Sequence, residues 1–262
     1  MPTPFVSFIG SGNLAWHLAP ALDNAGFVVK EVYSSNPKHA EALTDRLYQA
    51  EVKASLDFST SSSSVFIIAT TDDAIQEIAQ EIILPEDAVL IHTSGSQPLS
   101  VLQFAATTHL GVLYPLQTFS KSRKVDLKET PFFIESADED TATVLLSMAK
   151  ALSNQVREIG SEERKSLHVA AVFASNFTNH MLTLSRDVLQ KNSLEFEWLI
   201  PLIRETVAKA LALGPESSQT GPAKRGDLEV LDDHLQFLQE DETTAEIYKI
   251  VSQSIIDRYD EE

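Results

Sequence analysis

Short apolar runs alternate with longer amphipathic segments over the first 160 residues. Phe5–Ile9, Val28–Tyr33, Val65–Ala69, Val89–His92, Val112–Tyr114, Phe132–Glu135 and Val156–Ile159 are brief and rich in β-branched or aromatic residues. Continuous runs of this kind predict strands, and Val65–Ala69 reads as one buried on both faces of a sheet. A poorly marked strand falls between Val52 and Leu56. Between the strands, Asn13–Ala25, Pro37–Gln49, Ala74–Ile83 and Asp138–Leu152 read as helices. Gly26 is placed to end the first helix, and Asn36 with Pro37 supplies the cap and first position of the second. This alternation predicts an α/β fold with a doubly wound, mostly parallel sheet. After Gly160 the strand pattern stops, and Ser161–Lys191, Leu194–Leu213, Leu228–Gln239 and Ala245–Tyr259 read as helices. The expected organisation is a nucleotide-binding sheet domain over 1–160 and an all-α domain over 161–262.

The first strand leads directly into "GSGNLA", Gly10–Ala15. Glycine at position 10 permits a tight turn. At Gly12 no side chain stands in the way of a pyrophosphate, and the small Ala15 lets helix and strand pack closely. The amides of the first helical turn then point at a phosphate, aided by the helix dipole. The candidate dinucleotide contacts are Gly10, Ser11, Gly12, Asn13 and Leu14, with Ala69, Thr70, Thr71 and Thr93 at the carboxyl ends of neighbouring strands. A strand–turn–helix corner without a ligand is the alternative. The second strand ends in Ser34, Ser35 and Asn36, with Lys38 nearby, and Glu31 lies inside the strand. Uncharged donors at that end avoid repelling a 2′-phosphate, which favours NADP over NAD.

Composition narrows the function classes. The chain has 262 residues and a formal net charge of −18. That acidity lacks the cationic footprint of a nucleic-acid binder, but screening over ~8 Å leaves local backbone donors free to hold a phosphate. With no cysteine there is no disulfide, thiolate nucleophile or sulfur-ligated metal, and no metal site is expected. No apolar run approaches the ~20 residues that span a bilayer. Met1–Phe5 lacks the basic-then-apolar layout of a signal peptide. The expected location is the cytoplasm.

The candidate chemistry outside the glycine turn lies in "KSLHVAAVFASNFTNHMLTLSR", Lys165–Arg186. At about 100° per residue, Lys165, His168, Ser175, Asn176, Asn179, Thr183 and Arg186 share one arc of a regular helix. Amides, hydroxyls and an imidazole mixed with Val169, Val172 and Leu182 suit the wall of a cleft better than a solvated face. His168 is a candidate proton donor, Asn176 a holder of substrate oxygen or nitrogen, and Lys165 a second donor or a partner for a carboxylate. A buried interhelical hydrogen-bond network is the competing reading, and His17, His109 and His180 are read as structural. In "TGPAKRGDLEVLDDHL", Thr220–Leu235, glycines bend the loop, Asp227 caps the next helix, and Lys224 and Arg225 present cations to a carboxylate or phosphate. Ser94, Gly95 and Asn179 complete the candidate substrate contacts.

"FIGSGNLA", "HTSGS" (His92–Ser96), "YPLQTF" (Tyr114–Phe119), "HVAAVFASNF" (His168–Phe177), "LIPLIRETV" (Leu199–Val207) and "TGPAKRGD" with a later "HL" (His234 and Leu235) occur in that order. Together they resemble the Rossmann-like NADP oxidoreductases whose C-terminal helical domain has no defined function. The N-terminal half is similar to pyrroline-5-carboxylate reductases and deazaflavin-dependent NADP reductases. The resemblance implies a helical domain of the 6-phosphogluconate dehydrogenase C-terminal type, an interdomain cleft, NADP as cofactor and a homodimer formed through the helical domains. Tyr114 stands where the family commonly has histidine, so an imidazole there does not carry over. Nor does the lysine–asparagine pair of β-hydroxyacid dehydrogenases, because Val169 follows Lys165 at that spacing.

The resulting expectation is an NADP-dependent oxidoreductase that moves a hydride between nicotinamide and a small anionic carbonyl or imine. A non-catalytic NADP-binding sensor is the rival from another class, and a scaffold with an empty glycine corner is a third.

Overall fold

The computed structural model describes residues 4–259; the tail at 260–262, read from sequence as solvated, lies outside them. Two compact units divide between Asn176 and Phe177.

The first unit holds an eight-stranded sheet: β1 (Val6–Ile9), β2 (Val29–Tyr33), β3 (Glu51–Lys53), β4 (Val65–Ile68), β5 (Val89–His92), β6 (Leu110–Pro115), β7 (Phe132–Ser136) and β8 (Val156–Glu158). Their spatial order is β3-β2-β1-β4-β5-β6-β7-β8. Every neighbouring pair is parallel except β6–β7. The expected doubly wound sheet is therefore present, with one antiparallel step. Alternation along the strands sorts side chains to two faces. Phe8, Val65, Ile67 and Ile91 pack with α1 (Asn13–Asn24), α2 (Pro37–Thr44) and α4 (Glu139–Leu152). Ile9, Phe66, Ile68 and Leu90 pack with α3 (Ile75–Glu81) on the other face. Both faces being covered explains why β4 is apolar throughout.

Capping follows the sequence where side chains can act locally. Asn36 accepts the Lys38 N–H at 3.1 Å, and Asp138 accepts the Thr141 N–H at 2.9 Å. Helix α2 stops at Thr44, short of the expected Gln49. Its continuation is drawn onto α1: Tyr48 N–H donates to Asp23 at 2.8 Å, and the Arg46 guanidinium lies 4.1 Å from the centre of the Trp16 ring.

The strands end at Glu158, as the break at Gly160 anticipates, yet the compact unit runs on to Asn176. The reason is α5 (Ser161–Ala171) and its buried Arg164. The Arg164 guanidinium donates to the Glu135 carboxylate and, at 2.5 Å, to the Gln97 carbonyl. Ser161 donates to Glu135 at 2.8 Å and accepts the Leu99 N–H at 3.1 Å. These bonds pin the helix to β7 and to the segment after β5.

From α5 the chain passes through a π-helical stretch, Val172–Phe177, into α6 (Thr178–Lys191). The second unit also contains α7 (Ile200–Leu213), the single-turn α8 (Pro215–Ser218), α9 (Leu228–Phe237) and α10 (Glu242–Tyr259). Its buried hydrophobics among the described residues are Ala223 and Leu231. No helix among the described residues is long and apolar enough to cross a membrane.

Candidate functional site

Strand order reverses between β1 and β4, and a cleft of about 800 Å³ opens there at the carboxyl ends of the strands. In doubly wound sheets this is where ligands bind. Gly10, Ser11, Gly12, Asn13, Leu14, Ser34, Ser35, Ala69, Thr70, Thr71 and Thr93 line it. Asn36 does not, because its side chain is spent on the α2 cap.

The two glycines have different reasons to be there. Gly10 has φ +111°, and a Cβ on it would lie 2.4 Å from the Ala69 carbonyl oxygen, so the turn itself requires glycine. Gly12 has φ −71°, open to any residue. A Cβ there would meet nothing nearer than the Ala69 oxygen at 3.9 Å. Its missing side chain keeps the cleft clear in front of the α1 amides. These features fit a dinucleotide's diphosphate.

At the end of β2, Ser11 donates to Ser34 at 3.0 Å. Glu31 sits in mid-strand, as expected, and its carboxylate is occupied: it accepts from Ser7 at 2.8 Å and from Ser61, and lies 3.4 Å from the Lys53 ammonium. It does not line the cleft. Lys121 brings a positive charge to the cleft, which His39 also lines, and Glu77 and Glu81 form part of its wall from α3. Sequence reading missed Lys121, which reaches the cleft from a loop far along the chain. The available signal was the basic run Lys121–Lys124 on so acidic a chain. His17 steadies that loop by donating to the Ser120 carbonyl at 2.9 Å. This role is structural, as is that of His109, 3.3 Å from Asp138.

A second cavity of about 570 Å³, also within the first unit, is lined by Tyr114, Gln117, His168, Ser175 and Asn176 among others. Tyr114 Oη lies 3.1 Å from His168 Nδ1, and the rings meet edge to face at 6.0 Å. Gly95 makes this contact possible. A Cβ there would fall 2.5 Å from His168 Nδ1 and 2.7 Å from Tyr114 Cζ. Burial pushes the Tyr114 phenol above its usual range; the Arg164 charge opposes that shift and Asp72 adds to it. The turn thus joins the two cavities: Thr93 lines the first, and Gly95 backs the pair in the second.

Several expected contacts fall elsewhere. Lys165 is exposed and lies outside this cavity. Ser94 is spent on the turn, its hydroxyl accepting the amides of Ser96 and Gln97 at 3.1 and 3.0 Å. Asn179, Lys224 and Arg225 belong to the helical unit; Lys224 lies over the Tyr259 ring. The regular stripe from Lys165 to Arg186 is interrupted by the π-helical stretch. Each widened turn takes an extra residue, which rotates the following face by about 100°.

His92, at the end of β5, is fully buried. Its Nδ1 accepts the Ser94 N–H at 3.1 Å. Burial, reinforced by the Arg164 charge, pushes its pKa down to about 3. Between the ordinary imidazole value and that one, the unfolded chain binds a proton that the folded chain refuses. Stability from this group is therefore complete above about pH 6.5 and is lost as pH falls toward 3. By pH 5 the expected loss is roughly 2 kcal/mol. His92→Asn keeps an acceptor for Ser94 and removes the titration, so urea unfolding at pH 7.5 and 5 should show a smaller acid loss than in the wild type.

Comparison with known proteins gives these features a family. A model described as "NADP oxidoreductase coenzyme F420-dependent" matches residues 5–95, and one described as a domain of unknown function, DUF2520, matches 130–255. A crystal structure from Bacteroides fragilis described as a "putative NADP oxidoreductase" is 41% identical, with TM-score 0.89 over 98% of this chain and 99% of that one. The chain belongs to this NADP oxidoreductase family. An Aspergillus terreus reductive aminase in complex with NADPH and ethyl levulinate has TM-score 0.72 at 12% identity, over 98% of this chain and 95% of that one. A Myxococcus stipitatus imine reductase in complex with NADP+ has TM-score 0.69 at 12% identity, over 98% and 99%. At those identities the likeness is one of fold. Comparison with curated proteins yields no match. By family and fold, this member of the NADP oxidoreductases pairs an NADP-binding N-terminal domain with a helical C-terminal one.

Proposed function

We propose that this protein transfers a hydride between NADP and a small anionic carbonyl or imine compound. The observation that carries the reading is the short turn Thr93–Gly95, which links a dinucleotide-shaped cleft to a cavity with an imidazole, a phenol and an amide. Bound NADPH supplies a hydride. Gly12 leaves room for the diphosphate, and the amides opening α1 receive it with the positive end of the helix dipole. Ser34 and Ser35 offer uncharged hydrogen bonds to a 2′-phosphate, while the only carboxylate of β2, Glu31, is already engaged. Lys121 adds a cation to the cleft. These features favour NADP over NAD. In the second cavity, Asn176 orients the substrate heteroatom and the Tyr114–His168 pair delivers the proton that reduction consumes.

The test is a panel of 2-oxo acids and cyclic imines with NADPH, following loss of nicotinamide absorbance. Turnover of a member of either class supports the reading. Saturable NADPH binding with no turnover across the panel, together with a ligand-dependent change in assembly, would replace it with a sensor.

The working unit we propose is a homodimer formed through the helical units. Support comes from how little those units bury. Met181, Trp198, Leu202, Val207, Leu211 and Ile250 are all exposed, and Leu189, Leu231, Phe237 and Val251 line an apolar groove of about 630 Å³. Obligate dimer interfaces have this character, resembling a core divided in two.

A further inference from the structure

We infer that Tyr114 is the acid that protonates the substrate, and that His168 is a positioning residue that holds and recharges it. This rests on the hydride-transfer reading above and deepens it. The hydrogen bond between Tyr114 Oη and His168 Nδ1 can run in two senses. If His168 is neutral with its proton on Nε2, the phenol donates to Nδ1 and its proton is spent. If His168 is an imidazolium, Nδ1–H donates to the phenol oxygen, and the phenol O–H is free to face the cavity that both residues line.

In the second state the chemistry balances. The substrate carbon gains the hydride from NADPH, the C=O or C=N π bond breaks, and the heteroatom takes the Tyr114 proton. The Nδ1 proton of His168 moves to the phenolate oxygen, leaving a neutral imidazole, which solvent reprotonates. One hydride and one proton are consumed, and both side chains return to their starting forms.

Three further features favour the phenol as the group facing substrate. Burial keeps it protonated at neutral pH. The charged groups acting on it are Arg164 from α5 and Asp72 from the segment after β4. Each is engaged elsewhere: Arg164 with Glu135 and the Gln97 carbonyl, Asp72 as acceptor from Ser96. Neither competes for the proton. Gly95 is the third, since any side chain there would collide with both members of the pair.

The experiment compares wild type, Tyr114→Phe and His168→Asn, using 1-pyrroline-2-carboxylate and pyruvate as substrates with NADPH. Tyr114→Phe is expected to lower single-turnover reduction by about 100-fold or more, with the NADPH dissociation constant within twofold of wild type. His168→Asn should lower it less, reducing kcat while leaving the substrate KM within twofold of wild type, because it acts through Tyr114. Independently of turnover, 15N spectra of labelled imidazoles in the NADP+ complex should show the His168 Nδ1 signal moving in Tyr114→Phe. A wild-type rate in Tyr114→Phe would overturn the assignment, as would a wild-type kcat in His168→Asn, or a KM that rises there while kcat is unchanged. If the wild type reduces neither substrate, the hydride-transfer reading fails for those classes. The imidazole spectra then decide the pair alone, and an unmoved Nδ1 signal overturns it.

Discussion

Gly12→Asp is expected to raise the NADPH dissociation constant by about 100-fold or more without unfolding the protein. A carboxylate facing a diphosphate costs several kcal/mol, and each 1.4 kcal/mol is a tenfold loss. The fold has no reason to object. Gly12 has φ −71°, nothing lies within 3.9 Å of the added Cβ, and aspartate is a favourable helix N-cap. Thermal unfolding without ligand should stay within about 1 kcal/mol of wild type. Gly10→Ala makes the contrast. Its φ of +111° and the 2.4 Å approach to the Ala69 oxygen strain the turn itself, so that variant should lose stability and binding together. If Gly12→Asp binds NADPH like the wild type, no phosphate lies before α1.

The second large effect concerns assembly. Leu202 and Leu211 of α7 are 62% and 84% exposed, and lie on opposite sides of the helix, with Val207 and Leu213 also exposed. Exposed leucines on two sides of one helix leave apolar surface that a partner would bury. Leu202→Asp with Leu211→Asp would place two charges in the proposed interface, a cost of several kcal/mol where they cannot be paired. Sedimentation should find the wild type as a dimer and the double variant as a monomer at the same concentration. Helical circular dichroism should fall in the variant, because the second unit has little core of its own. A monomeric wild type would contradict the proposal outright.

What the sequence made legible is what depends on neighbours in the chain. Strands buried on both faces are continuous apolar runs, Asn36 and Pro37 announce a helix start, and the glycine turn places the cleft. Features created by distant contacts were not legible. The end of α2 depends on Asp23 and Trp16 of another helix. A buried arginine such as Arg164 reads as a surface cation until Glu135 and the Gln97 carbonyl are brought to it, which is why the first unit extends beyond Gly160. A π-helical stretch has no compositional mark, so the regular stripe through Asn179 and Arg186 was projected across it. Tyr114 was visible only as a departure from the family's histidine; its meaning came from the spatial meeting with His168. Ser94 shows the converse, a hydroxyl of suitable chemistry whose acceptor capacity goes to its own turn.

The central claim is that a phosphorylated dinucleotide binds before α1 with its 2′-phosphate beside Ser34 and Ser35. Calorimetric titration of the purified protein with NADPH and with NADH tests it most directly. The account predicts saturable, one-site binding of NADPH at least tenfold tighter than NADH. Equal affinity for the two, or no heat of binding with either, would contradict it.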